Sequence, residues 1–423
     1  MARKMRDSGV EWIGEVPEGW EVRKAKSIII ANDGGVWGDD PTGENDAIVL
    51  RSTEQGLDGK LYIQKPAYRH LSDAERNRYL LKSDDLIITK SSGSRDHIGK
   101  TSLIDESVSN LKCCYSNFIQ RIRVVGFPRY CWYLYNNYIV KLQFDYLCTT
   151  TTGLNNLNSG IIGNVVIPIP PLPEQRRIAD YLDEKCAAID GAVDELKRGI
   201  EDCKAWKKAI IFEAVTGKAN VLAAKNAKVA KRQMRDSGIP WIGEIPEGWE
   251  VMKGKYLFSA RSGDAIRNEI LADNGTYPVY GGGEVIGFAD NWNCDADTVL
   301  IGRVGARCGC VTLLKTRAWA TDNALIASTN KDVRYITYLL IGANLNQFNF
   351  SNAQPLITAG RIKNLPFPFV CDLSEQQAIA DYLDEKCAAI DALVAEKGKL
   401  IADLETYKKS LIFELVTGKR EVA

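Results

Sequence analysis

The sequence predicts an α+β fold with a pseudo-twofold internal repeat: two globular α/β heads joined by two long helices that pair as a coiled coil. Three observations predict it. An opening block, MRDSGVEWIGEVPEGWEVRKAK at Met5–Lys26, returns as MRDSGIPWIGEIPEGWEVMKGK at Met234–Lys255. A closing block, EQRRIADYLDEKCAAID at Glu174–Asp190, returns as EQQAIADYLDEKCAAID at Glu375–Asp391, and both copies run on without proline to a Val-Thr-Gly-Lys ending. The stretches between the blocks, Ser27–Pro173 and Tyr256–Ser374, differ in length and share little. A nearly constant frame around divergent inserts implies one scaffold used twice with two specificities. A solenoid would show many short repeats instead. A duplicated enzyme would keep its active-site residues in both copies, and no such pair is found.

The boundaries follow from the blocks: a first head at 1–173, a long helix at 174–218, a linker at 219–233, a second head at 234–374 and a second long helix at 375–423. A chain of 423 residues exceeds one compact domain. Lysine plus arginine balance aspartate plus glutamate at 54 each. That disfavours a non-specific nucleic-acid coat and leaves room for a sequence reader with local basic loops. No apolar run is long enough to span a membrane, and Met1–Gly9 has no apolar signal core. The 11 cysteines are scattered and odd in number, which points to reduced thiols and a cytoplasmic location. Cys113-Cys114 and Cys308-Gly309-Cys310 lack zinc spacing, and only His70 and His97 could assist, so no metal site is expected.

In the first head, strand-like runs cover Ala47–Leu50, Leu86–Thr89, Phe118–Val125 and Val165–Ile169, with helices near Asp73–Leu81 and Arg129–Phe144. The loop after LIIT is small, polar and basic, and offers Lys90, Ser91, Ser92, Ser94, Arg95 and Lys100 to DNA. Pro168, Pro170, Pro171 and Pro173 then stop the insert. Beyond them the apolar residues step by three and four through Leu182, Cys186, Ile189, Val193, Leu196, Ile200, Cys203 and Ile210. The second copy repeats the seam at Leu383, Cys387, Ile390, Val394, Ile401, Leu404 and Leu411. Lys207 and Lys408 interrupt the two seams at equivalent places, as does Lys397 in the second copy alone, and Gly217 and Gly418 are the expected C-terminal caps. A helix of about 40 residues is about 60 Å long and needs a partner for its seam. The matching seam lies in the other copy, so pairing within the chain is expected. Such a rod is a spacer that could hold two heads more than one duplex turn, about 34 Å, apart. The plainer alternative is a rod that only oligomerises the protein. The linker, with Lys225, Lys228, Lys231 and Arg232 among alanines, reads as a solvated connector.

The second head has strands at Tyr277–Tyr280, Thr298–Ile301, Cys310–Leu314 and Ala324–Ala327, and a helix at Val333–Asn344. After TVLI comes a loop equivalent to the first, with Arg303 and Arg307. Arginine can fork onto guanine edges, while Ser, Asn and Gln serve phosphates or adenine. An ordinary hairpin loop with solvated charges is the competing reading and the better one on composition alone; the equivalent placement in both copies brings contact with DNA level with it. A second pair of polar stretches precedes the closing blocks: Thr149–Asn156, with Thr151 and Asn155, and Ser351–Gln354, with Asn352 and Gln354. Turn capping explains these as well as DNA contact does.

Two near-motifs fail. Ser94–Thr101 approaches a phosphate-binding loop, but its leading glycine is displaced and no helix pattern follows. Gly281–Gly287 is one residue too long for a dinucleotide fingerprint and reads as a Gly-rich turn. No aromatic methyltransferase motif is present, and two histidines leave little for acid–base chemistry. In the opening block Trp12, Ile13, Pro17 and Trp20 either fill the core of each head or dock it on the rod or a partner.

These residues resemble the specificity subunits of type I restriction-modification systems. The resemblance rests on the opening DSGVEWIGEVPEGWE, the junction Ile167-Pro168-Ile169-Pro170-Pro171-Leu172-Pro173-Glu174-Gln175, the long helix closing in TGK, and the segments Thr276–Phe288 and Trp319–Ala327. The second junction, Phe367–Gln376, keeps Glu-Gln and loses the prolyl stop. The resemblance implies two target-recognition domains, each reading half of a bipartite site in double-stranded DNA, and helices that pair antiparallel to set the gap. It implies two methyltransferase subunits that carry S-adenosylmethionine and methylate adenine at N6. Restriction subunits, where a system has them, use ATP and Mg. None of that chemistry, and no cofactor, is expected in this chain.

Overall fold

The computed structural model describes residues 3–151, 154–222, 232–267, 271–349 and 355–422. The chain divides into two compact units, Met1–Asp194 with Leu400–Ala423, and Glu195–Lys399. No described helix is long and apolar enough to cross a membrane. Most of the expected linker, 223–231, lies outside the described residues.

The first unit opens on a hairpin of Met5–Asp7 with Glu15–Pro17. Glu21–Lys24 then pairs antiparallel with Val166–Ile169, so the insert leaves and rejoins the frame at one place. The insert builds a four-stranded antiparallel sheet in the order Ile29–Gly34, Ile119–Val124, Leu86–Thr89, Thr101–Leu103. The continuous apolar run at Leu86–Thr89 is explained by burial on both faces. Leu86 and Ile88 face a core shared with the long helices, whereas Ile87 faces a second core with Leu50, Tyr115 and Ile119. That second core is covered by a small sheet, Cys114–Tyr115 parallel to Ala47–Leu50, with Tyr68–Arg69 on its far edge. The expected helix at Arg129–Phe144 is two helices, Pro128–Tyr135 and Tyr138–Leu147. Asn137 caps the second through the amide of Ile139, while Asn136 is drawn onto the backbone of Thr101.

The second unit repeats this plan. Its hairpin is Met234–Asp236 with Glu244–Pro246, and Glu250–Lys253 pairs with Pro366–Phe369. The four-stranded sheet runs Ser259–Ser262, Ala324–Ser328, Val299–Gly302, Val311–Leu313. Val299 and Ile301 again face the helices, and Leu300 faces a smaller core with Ala318, Ala320 and Ile326. The small sheet is Tyr277–Gly281 between Glu284–Ala289 and the parallel strand Trp319–Ala320.

The two long helices, Leu172–Val215 and Leu373–Val416, have 44 residues each. Each gives one half to each unit. Within each unit the halves pack antiparallel, as the seams and the resemblance lead one to expect. In the first unit Tyr130 Oη donates to Pro168 O at 3.2 Å and to Val416 O at 3.1 Å, which sets the start of one helix beside the end of the other. Leu182 and Ile189 share that core with Leu411 and Leu415. In the second unit Leu383 and Ile390 pack with Ile210 and Ile211. Leu196, Ile200, Ile401 and Leu404, nearer the helix middles, are only half-buried. The two lysines that interrupt the seams at equivalent places are paired: Lys408 Nζ lies 2.6 Å from Asp190 in the first unit, and Lys207 Nζ lies 2.7 Å from Asp391 in the second.

Gly217 and Gly418 do end the helices, both at φ +73°. A side chain there would also strike Pro246 and Pro17, respectively, at 2.5 Å. The opening block of each unit therefore sits on a helix terminus, and both roles expected of it hold. Ile13, Val16 and Trp20 are buried, and Trp20 Nε1 donates to Glu174 Oε2 at 2.9 Å, where Arg3 also pairs with Glu174. Trp12 stays largely exposed.

Candidate nucleic-acid interface

In the first unit the strand Leu86–Thr89 ends with its side chains fixed on both faces, so the next residues emerge at a defined place. Lys90 N–H donates to Phe118 O at 2.9 Å, and its own carbonyl accepts from Leu157 N at 2.7 Å. Ser91–Ser92 then forms a short strand against Leu154–Asn156, with Ser92 opposite Asn155 and Ser91 opposite Asn156. Ser91 and Asn156 are joined side chain to side chain at 2.6 Å. Thr149–Thr151 completes the small sheet. Two polar stretches that the sequence offers as separate candidates thus form one surface.

The residues on it are unequal. Ser94 and Arg95 are exposed, Ser91, Ser92 and Lys90 half-buried, and Asn155 buried. Burial lowers the Lys90 pKa from its usual value. Lys100 does not face outward. It is 6 % exposed, and its ammonium donates to Gln55 O at 2.6 Å and Ser52 O at 3.1 Å. It fastens the 51–55 loop from inside, and burial again lowers its pKa. This corrects the sequence expectation: a buried ammonium turned inward onto two carbonyls is out of reach of a phosphate at the surface.

Beside the serines lies a cleft of about 490 Å³ lined by Trp37, Arg51, Thr53, Ser92, Asn117 and Phe118 among others. The sequence reading missed Arg51, Asn117 and Phe118 as site residues. Their only local signal is position, just after one strand and just before another; that those two strand ends meet is a non-local fact. They meet because Gly35 lies against the carbonyls of Tyr115 and Ser116 with no room for a side chain.

The second unit has the same anchors. Arg303 N–H donates to Asn323 O at 2.9 Å, and its carbonyl accepts from Ile357 N at 2.9 Å. Gly305 N–H donates to Pro355 O at 3.0 Å. Gly263 lies against the carbonyls of Ala320 and Thr321 as Gly35 does in the first unit. Arg303 Nη1 donates to Ser262 Oγ at 3.0 Å and to Asp322 O at 3.3 Å. Arg307 is exposed and ion-paired with Glu284. Asn352 and Gln354 lie outside the described residues, as do Thr152 and Gly153 in the first unit. In chemical terms each corner presents arginine forks, hydroxyls and backbone amides on a fixed frame, a set suited to phosphate and base edges.

Residues 17–194 and 246–401 match the family described as the type I restriction modification DNA specificity domain. The chain belongs to that family. In this specificity protein the two matched segments begin at the equivalent prolines Pro17 and Pro246 and end within the long helices. It is 25% identical to the type I restriction enzyme MjaX specificity subunit of Methanocaldococcus jannaschii, over 97% of this chain and 96% of that one. It is 28% identical to the EcoprrI specificity subunit of Escherichia coli, over 41% of this chain and 45% of that one. A solved chain described under complex assembly and conformational transition of the type I R-M system has the same fold, with a TM-score of 0.71 at 15% identity over 96% of this chain and 99% of that one. The HsdS subunit from Thermoanaerobacter tengcongensis gives a TM-score of 0.54 at 15% identity, over 96% of this chain and 98% of that one.

Proposed function

We propose that this chain is the DNA-reading subunit of a type I restriction-modification enzyme, that each unit reads one half of a bipartite site, and that the chain has no catalytic centre of its own. It docks two methyltransferase subunits that use S-adenosylmethionine to methylate adenine at N6. Where restriction subunits join the complex, they bring ATP and Mg. One observation carries the reading: Lys90 and Arg303 hang from identical backbone anchors on a repeated frame, yet the loops they begin differ in every polar side chain. A frame that is constant in backbone and variable at its tips suits a reader of two different half-sites better than a rod for protein partners alone. The candidate contacts are Lys90, Ser91, Ser92, Ser94, Arg95, Thr151 and Asn155 in one unit and Arg303, Arg307, Asn352 and Gln354 in the other.

The test is to co-express the chain with its methyltransferase partner and map methylated adenines across a genome by single-molecule sequencing. A two-part motif that disappears when this gene is deleted is the expected result. Methylation without any base preference would leave the chain a coiled-coil scaffold. Methyl transfer by the isolated chain would contradict the absence of a catalytic centre.

A further inference from the structure

Each corner joins several loops, and the hydrogen bonds align the two corners residue by residue. Ser116 N–H donates to Leu50 O at 2.9 Å, as Thr321 N–H donates to Tyr280 O at 3.0 Å. Tyr115 stands opposite Leu50 in the small sheet, as Ala320 stands opposite Tyr280. Glu54 and Glu284 each lie four residues beyond the aligned Leu50 and Tyr280, Glu54 at the end of a 3-10 turn and Glu284 at the start of a strand. Both hold an arginine. Glu54 Oε1 accepts from Arg51 Nη2 at 2.7 Å and Nε at 3.2 Å, and Lys65 O takes Nη2 as well. Glu284 pairs with Arg307, which comes from the neighbouring loop. The carboxylate position is shared, while the arginine comes from different loops.

A carboxylate at this place decides what the arginine faces. Phosphate contact needs only positive charge, and an adjacent carboxylate would weaken it by repulsion. Reading a base needs orientation: with Nε and Nη2 committed, Arg51 presents Nη1 in a fixed plane as a donor for guanine O6 or N7, and Arg307 is held through its Nη2. Arg51 Nη1 has no protein partner among the described residues, and Arg51 remains 39 % exposed although Glu54 is 4 % exposed. Arg307 and Glu284 are both more than half exposed. Glutamate there can also accept from a cytosine amino group.

We infer that each unit reads one guanine of its half-site with a glutamate-held arginine, Arg51 in the first unit and Arg307 in the second. This rests on the reading of the chain as a DNA-binding subunit and adds the base and the residues that select it.

The experiment uses the full chain with its methyltransferase partner. Arg51→Lys and Arg307→Lys keep the charge and remove the planar, fixed donor. Binding is measured by competition against the target duplex, every single-base variant of it, and a scrambled duplex over a salt series. The wild type is expected to prefer guanine at one position in each half-site by about 5- to 150-fold. Arg51→Lys should flatten a guanine position in one half-site only and Arg307→Lys in the other, with scrambled-duplex affinity and salt slope unchanged. Glu284→Gln, at an exposed position, should flatten the same base pair as Arg307→Lys, or its neighbour, and strengthen scrambled-duplex binding. Glu54 is left alone because it is buried. Lysine variants that keep every base preference, or lose all of them equally at an unchanged melting temperature, overturn the inference while the DNA-reading assignment stands. A wild-type complex with no base preference overturns both.

Discussion

Desolvation keeps the most deeply buried thiols of this chain quiet. No disulfide joins the cysteines among the described residues. Burial pushes Cys113 up to about 12, Cys114 to about 11 and Cys131 to about 12. Cys310 and Cys371 are exposed. A thiol reagent at pH 8 should therefore label Cys310 and Cys371 quickly and the three buried residues only on unfolding; peptide mapping that finds Cys113 modified early would contradict this. The same shifts have a stability consequence. A thiol whose folded pKa is raised stays protonated while the unfolded chain ionises, so its contribution is intact below the ordinary thiol range and fades as pH climbs toward 11 to 12. Thermal melts should fall steadily above about pH 9. Lys100 makes a second case at this scale. Replacing it with Met strips Gln55 and Ser52 of a charged donor, so a loss of about 1.5–3 kcal/mol is expected in denaturant unfolding. Composition marked Lys100 as a DNA contact because a basic loop looks uniform in sequence; only the fold tells which lysine points inward.

The long helices were legible because a heptad pattern is local and repeats, and their glycine ends were legible for the same reason. The break in Arg129–Phe144 was not, since Asn136 leaves the helix for Thr101, a partner remote in sequence. Helix pairing gives a sharp test through the lysines in the seam. Lys207→Asp should cost about 1 kcal/mol by setting like charges against Asp391 at a mostly solvated pair, and adding Asp391→Lys should recover most of it. Independence of the two changes in a double-mutant cycle would mean that the pair does not couple. Gly418→Ala should cost more, about 1–3 kcal/mol, because it adds a left-handed strain and a clash with Pro17. Its twin Gly217→Ala should cost the same against Pro246, and unequal values by calorimetry would count against the repeat being structural.

The first compact unit is built from two separate stretches of chain, 1–194 and 400–423, and this shapes what a mutation near one end can do. Leu415 is fully buried in a core with Tyr130, Leu86 and Leu182. Leu415→Asp should therefore strip hydrogen-exchange protection from 1–194 and leave 195–399 protected. Loss confined to the last helix would refute the shared core. The repeated blocks made the existence of two heads readable from sequence, since near-identity needs no structure to be seen. The corners were not readable, because their loops are brought together by sheet pairing between distant residues. Only the loops that begin at Lys90 and Arg303 and the polar stretches before the closing blocks were suspected, and never as neighbours. The bare glycines Gly35 and Gly263 have a last consequence. Where main chain presses on main chain, the foundation of each corner holds whatever residues stand at its rim. Side chains at the rim can then be exchanged without a new fold, so one corner can change what it touches while the scaffold beneath it stays as it is.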